Sequence, residues 1–233
     1  MIEDDRRDMS KQTQTAQHST APSAQARVEP STASDALVPP RQRLLDGLAR
    51  AIRDKGVQNT KVSDIVRNAR TSKRTFYECF TDKEACLAEL ADDWADSLRQ
   101  AVVAAVDRTA PWDEQIDAAV DAFLAAIARD PVLSAAIPRE FPALGGQYFA
   151  LFEKDIEFYA AFYMELSRGP MMRRAGVQPL SWEKAIILVG GLSELTDRVL
   201  RTGGSLAAAG DAMKESMKLL VRGRGDASES AVI

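Results

Sequence analysis

The sequence predicts an all-α protein, and three observations carry that expectation. Alanine (37 residues) outnumbers valine and isoleucine together (25), a balance that favours helix over strand. Beyond residue 40, apolar residues recur every three to four positions, the spacing that gathers them on one helix face. Proline then divides the second half at Pro111, Pro131, Pro138, Pro142, Pro170 and Pro179, each removing an amide donor that a helix interior needs. At 233 residues, 45% hydrophobic and 27% charged, the chain has enough material for one sizeable core or two small ones.

The first 40 residues hold 23 Ser, Thr, Ala, Gln or Pro and no aromatic residue, too little apolar surface to offset the entropy of ordering. They read as a disordered tail, as do residues 225–233. A first helix is expected from Arg41 to Lys55, with Leu44, Leu45, Leu48 and Ile52 inward and Gly56 as its stop. A short second helix carries Val62, Ile65, Val66 and Ala69, with Thr60 as a candidate cap and Asp64 in its electropositive first turn. Ser72 is placed to cap a third helix of about two turns, Lys73 to Cys79. Thr81 and Glu84 have the spacing of a capping box ahead of a long fourth helix. Its inner stripe is Leu87, Leu90, Trp94, Leu98, Ala101, Val102 and Ala105, reaching about Asp107. Further helices are expected near 113–129, 144–168, 181–202 and 205–222.

Charge is distributed unevenly. The whole chain carries −4, yet residues 41–80 hold ten Lys/Arg against four acids. A basic module on an acidic body can bind a polyanion at one end without adhering everywhere. Three short helices with a three-residue turn, Arg70-Thr71-Ser72, between the second and third fit the helix-turn-helix plan. Phe76 and Phe80 are four apart and point inward with Ile65 and Leu48, leaving Lys73, Arg74, Thr75 and Tyr77 at or near the outer face. The ordinary alternatives are a merely solvated basic face and a core role for Tyr77.

Arg43 to Leu87 resembles the DNA-binding domain of TetR-family transcriptional regulators. The resemblance rests on Val62-Ser63-Asp64-Ile65-Val66, then Ser72-Lys73-Arg74-Thr75-Phe76-Tyr77-Glu78-Cys79-Phe80, then Asp82-Lys83-Glu84. It implies a helix-turn-helix domain over 41–88, joined to a helical effector-binding and dimerisation domain over 89–224. It also implies Lys73, Arg74 and Thr75 at base edges, Ser72, Tyr77 and Lys83 at phosphates, and Lys61 and Arg43 flanking. The family usually has Gly where this chain has Arg70, and a non-glycine residue at positive φ there costs about 1 kcal/mol. Arg74 stands where small residues are common in the family; arginine favours guanine through its O6 and N7 acceptors.

Residues 141–163 hold eight of the fifteen aromatic residues. Phe149, Phe152, Ile156, Tyr159 and Tyr163 share one helix face. They fit either a core stripe or a cavity, because rings tile poorly and buried hydroxyls need partners. In the resembling family this region lines the effector pocket, which assigns Phe123, Tyr148, Phe152, Tyr159 and Tyr163 to its lining. Glu153, Asp155 and Glu157 are expected to face water. Gly190-Gly191 in mid-helix costs about 2 kcal/mol against alanine and points to close helix approach. By resemblance, the last two helices form a homodimer interface through Ile187, Gly190, Gly191, Leu195, Met213, Met217 and Leu220, with a core-only role as the alternative.

The resulting expectation is a ligand-responsive repressor that binds palindromic double-stranded DNA as a homodimer. A helical enzyme, or an interaction module for an acidic partner, is the competing reading. One histidine (His18), no glycine-rich phosphate loop and no nucleophile beside a base argue against catalysis; Glu165 with Glu140 is the remaining candidate carboxylate pair. Cys79, Cys86 and His18 fall short of a closed zinc site, so no metal or cofactor is expected. The cysteines read as small core residues, with a thiol switch as the alternative. Neither an apolar leader nor a membrane-length apolar run is visible, which gives a cytoplasmic expectation.

Overall fold

Pro40 sits in the first turn of α1 (Pro40–Asn59), where its missing amide costs nothing, and Leu44, Leu45, Leu48 and Ile52 form the buried stripe. The computed structural model describes residues 38–140 and 146–222, so the expected tails, apart from 38–40, lie outside the described residues. Gly56 leaves helical geometry (φ 78°, ψ 165°), as its position promised, but one more turn follows to Asn59. Thr60 does not cap the next helix: its hydroxyl donates to the Gly56 carbonyl at 2.7 Å. At the start of α2 (Val62–Asn68) the capping oxygen belongs to Asp64, which accepts the Lys61 amide at 3.0 Å. α1 and α2 touch closely at Gly47, where an added Cβ would lie 2.6 Å from the Ile65 carbonyl oxygen.

The α2–α3 turn closes as a Schellman motif. The Thr71 amide donates to Val66 O at 2.9 Å and the Arg70 amide to Arg67 O at 3.2 Å, with Arg70 itself at φ 50°. The turn therefore keeps the glycine-type geometry although arginine occupies it. α3 (Lys73–Cys79) is capped by Ser72, whose Oγ accepts the Thr75 amide at 3.1 Å. The expected Thr81–Glu84 capping box is absent. Asp82 caps α4 (Lys83–Ala105) instead, accepting the Ala85 amide at 2.7 Å, and a carboxylate suits the helix N-terminus better than a hydroxyl.

α5 (Trp112–Arg129), α7 (Gly146–Ser167), α9 (Trp182–Thr202) and α10 (Leu206–Arg222) fall close to the expected spans. Two helices were not anticipated: α6 (Pro131–Glu140) and α8 (Pro170–Arg174). Both begin on a proline that had been read as a breaker, and proline is tolerated in a first turn. Among the described residues the chain forms no strand.

Two main cores result. One joins Leu44, Leu48, Ile65, Phe76, Phe80 and Leu87 to Leu133, Ala136 and Ile137 of α6. The other joins Ile116, Val120, Met172, Leu188, Met213 and Met217. The boundary expected at residue 88 falls inside continuous α4, and the first core extends past it to Ala91 and into α6. Among the described residues, no helix is long and apolar enough to cross a membrane.

Candidate nucleic-acid interface and ligand cavity

α3 is anchored from below by Phe76, 0% exposed, whose ring lies 5.3 Å from Tyr77 and 5.7 Å from Phe80. With the odd face so fixed, Ser72, Lys73, Arg74 and Tyr77 stand at the surface and Thr75 is half-buried. Tyr77 is 60% exposed, which removes its core alternative. The Arg74 side chain is 88% exposed, its Nε donating to Glu78 at 2.9 Å. That pair is a weak surface one, so the guanidinium is readily diverted to another anion. Thr75 Oγ1 lies 3.0 Å from Ser72 Oγ, so the cap and the candidate base contact share one hydrogen-bond cluster.

The flanking residues differ more from expectation. Lys61 is exposed. Lys83 is largely covered and its Nζ donates to Val57 O at 3.3 Å, stitching α4 to α1. Arg43 is half-buried, with Nε enclosed and lacking a hydrogen-bond partner. Behind this surface, Asp64 pairs with Lys55 and with Arg67 (2.9 Å). The Lys55 hydrogen bond, then the Lys61 amide, hold its carboxyl down at about 2. Burial pushes the Cys86 thiol up to about 12, which keeps it protonated and poorly reactive at neutral pH.

In the second half of the chain lies a cavity of about 340 Å³ between α4, α5, α6, α7 and α9. Trp94, Leu98, Phe123, Ile127, Phe152, Ile156 and Tyr159 supply its apolar wall. Phe123, Phe152 and Tyr159 are thus where the aromatic pattern placed them, with Phe123 and Tyr159 edge to face at 6.1 Å. Tyr163 is not in this wall: it is buried beside an adjoining recess of about 40 Å³ that shares Phe123 and Tyr159 with the cavity. The Tyr148 side chain and Phe141 lie outside the described residues. Asp155, expected in water, is instead in the cavity wall because buried Arg99 captures it together with Asp96. Ile137, Asp197 and Glu194 also line the cavity and escaped the sequence reading, the first because α6 itself did. Glu165, considered as a carboxylate pair with Glu140, is exposed and binds Arg108 at 2.7 Å.

The expected interface residues separate into two groups. Ile187 is 67% exposed, Gly191 is at the surface, Leu195 and Gly190 are half-buried, and Leu220 is exposed, joined by Trp182 and Leu219. Met213 and Met217 are 1% and 0% exposed and belong to the core of their own chain, leaving no side-chain surface for a partner. The α10 stripe was read correctly as apolar, but its methionines face α5 and α9. Within one chain nothing approaches Gly190-Gly191, where an added Cβ meets no atom within 4 Å. Close approach is at Gly210, where a Cβ would lie 2.7 Å from Leu124 Cδ1.

A capped, amphipathic third helix on a packed three-helix base, carried by an all-helical body with a largely apolar cavity, defines an all-α helix-turn-helix protein. Residues 44–90 match the family model for bacterial regulatory proteins of the tetR family. The match is confined to this domain, and the remainder is similar to solved structures in fold alone. The fold is similar to that of the fatty acid degradation regulator FadR from Bacillus halodurans, with 18% identity, 79% of this chain and 95% of that chain covered, and a TM-score of 0.64. FadR from Bacillus subtilis, solved in complex with stearoyl-CoA, gives 17%, 79%, 99% and 0.61 in the same order. Reduced NemR from E. coli gives 14%, 78%, 98% and 0.62. No curated protein sequence matches the chain.

Proposed function

We propose that this chain is a ligand-responsive repressor that grips an operator as a homodimer, with α3 entering the major groove. The observation that carries the reading is the geometry of α3. Phe76 and Phe80 fix one face while Lys73, Arg74, Thr75 and Tyr77 present cations, a hydroxyl and a phenol on the other. Lys73, Arg74 and Thr75 are assigned to base edges, and Ser72, Tyr77 and Lys61 to phosphates. Arg43 and Lys83 are assigned to the rim, where Lys83 must leave Val57 O to reach a phosphate.

One two-turn helix makes too few base contacts for selectivity. A twofold partner places a second copy about 34 Å away, one turn along the duplex. Ile187, Gly190, Gly191, Leu195 and Leu220 are assigned to that interface, on the exposed faces of α9 and α10.

Phe123, Phe152 and Tyr159 are assigned to effector binding. Two helices join the effector cavity to the DNA module. α4 runs from the Asp82 cap beside α3 to Trp94 and Leu98 in the cavity wall. Ile137 of α6 belongs both to the core beneath α3 and to that wall, while Arg53 pairs with Asp130 at 2.6 Å where α5 meets α6. A ligand that moves either helix shifts the separation of the two α3 copies, and a coupling of about 1–3 kcal/mol is sufficient for regulation.

Selection from a random duplex pool tests the whole reading. Twofold-symmetric sites with half-sites one helical turn apart are expected. Specific binding by a proven monomer, or selected sites without symmetry, overturns it.

A further inference from the structure

The wall of the 340 Å³ cavity is apolar and aromatic over most of its area, but its charge has one sign. Asp155, Glu194 and Asp197 line it, and none of the described lining residues is Lys, Arg or His. The cations behind the wall are already shared among several acids. Arg99 bridges Asp155 and Asp96 and lies 3.6 Å from Asp92, which Lys154 also binds at 2.6 Å. Arg201 bridges Asp197 at 2.8 Å and Glu194 at 3.5 Å. Five carboxylates thus share three cations in and behind this wall.

Two polar groups of the wall are unfinished. Asp197 gives one carboxylate oxygen to Arg201, while Oδ1 is enclosed with no hydrogen-bond partner. The Tyr159 hydroxyl is also enclosed and unpaired. A buried acceptor without a donor is destabilising, and a ligand N–H that reaches it recovers that cost on binding. Around these groups, Trp94, Phe123 and Phe152 supply ring faces or edges for an apolar body, and a ring face also attracts a cation.

We propose that the cavity takes an amphiphilic cation, a protonated amine on an aliphatic or aromatic body, whose ammonium group sits among Asp197, Glu194 and Tyr159. The proposal rests on the effector-cavity reading above and names the chemistry of its ligand. An anionic head group meets three wall carboxylates and no uncommitted cation, so the stearoyl-CoA held by Bacillus subtilis FadR is not the ligand class carried over to this chain.

Calorimetric titration of the full chain with octylammonium, octanol and octanoate compares three head groups on one tail. Octylammonium is expected to bind at least about tenfold more tightly than octanol, with octanoate weakest. Asp197→Asn keeps an oxygen for Arg201 and is expected to close most of the ammonium–alcohol gap by weakening octylammonium more than octanol; Glu194→Gln provides a second, exposed position if the first variant folds poorly. Octanoate binding as tightly as octylammonium, a gap that survives both substitutions, or no binding of any of the three overturns the cation assignment. The regulatory reading is scored separately on operator DNA. An ammonium preference without any effect on DNA binding removes regulation but leaves the cation site standing, whereas equal release by all three ligands does the reverse.

Discussion

The α1–α4 module and the cavity-bearing body satisfy their polar groups in different ways. In the module the helix starts are closed by neighbours in sequence: Asp64 holds the Lys61 amide, Ser72 the Thr75 amide and Asp82 the Ala85 amide. Pairs distant in sequence occur in both, Arg41 with Glu89 in the module and Arg108 with Glu165 in the body, but the body adds a cavity in whose wall Tyr159 and Asp197 keep unpaired buried atoms. A module with capped helices and a packed core holds one geometry, as the proposed DNA reading requires. A body with vacant space and unmet hydrogen-bonding groups is suited to change when something enters it.

The comparison is broken most severely at Phe76. Phe76→Ala empties a fully enclosed site and is expected to cost about 3–5 kcal/mol, read by thermal or denaturant unfolding. Next in size, Arg74→Ala is expected to weaken operator binding by about 1–3 kcal/mol and relax preference at one base pair. Because Arg74 has only a surface partner, the melting temperature is expected to stay nearly constant. A large drop in melting temperature instead makes Arg74 a structural residue.

At the turn, Arg70→Val places a β-branched residue at φ 50° and is expected to cost about 1–2 kcal/mol, whereas Arg70→Gly is expected to be far milder. Equal losses in the two variants argue that side-chain contacts of Arg70, and not its backbone, matter there. Acid titration probes Asp64. Its folded pKa lies below the ordinary carboxylate value of 3.8, so its stabilising contribution is full above that value and disappears as pH falls toward about 2. Asp64→Asn is expected to flatten that part of the acid unfolding profile. Smallest of all, Tyr159→Phe removes a hydroxyl that has no partner and is expected to be neutral or slightly stabilising in a melting experiment. A clear loss of stability there means the hydroxyl is satisfied in solution, and the cavity is less unfinished than its geometry indicates.

The same contrast explains which parts were legible in the sequence. α3, its Ser72 cap and the inward Phe76 follow from spacing alone, because capping and amphipathic burial act over three or four residues, whereas the structure was needed to remove the core alternative for Tyr77. α6 and α8 were missed because Pro131 and Pro170 read equally well as the end of one helix and the start of another. The α10 stripe was visible, but whether Met213 faces its own core or a partner depends on where α5 lies.

Taken alone, the chain determined an all-α architecture, a basic helix-turn-helix module and an aromatic-rich body, since these follow from composition and periodicity. Tertiary structure alone decided that Asp155 and Asp197 share a wall with Trp94, and that Ile137 touches both core and cavity. The physical reason is range. Helix formation and capping are settled within a turn, whereas enclosed space and unpaired charge exist only where helices distant in sequence meet.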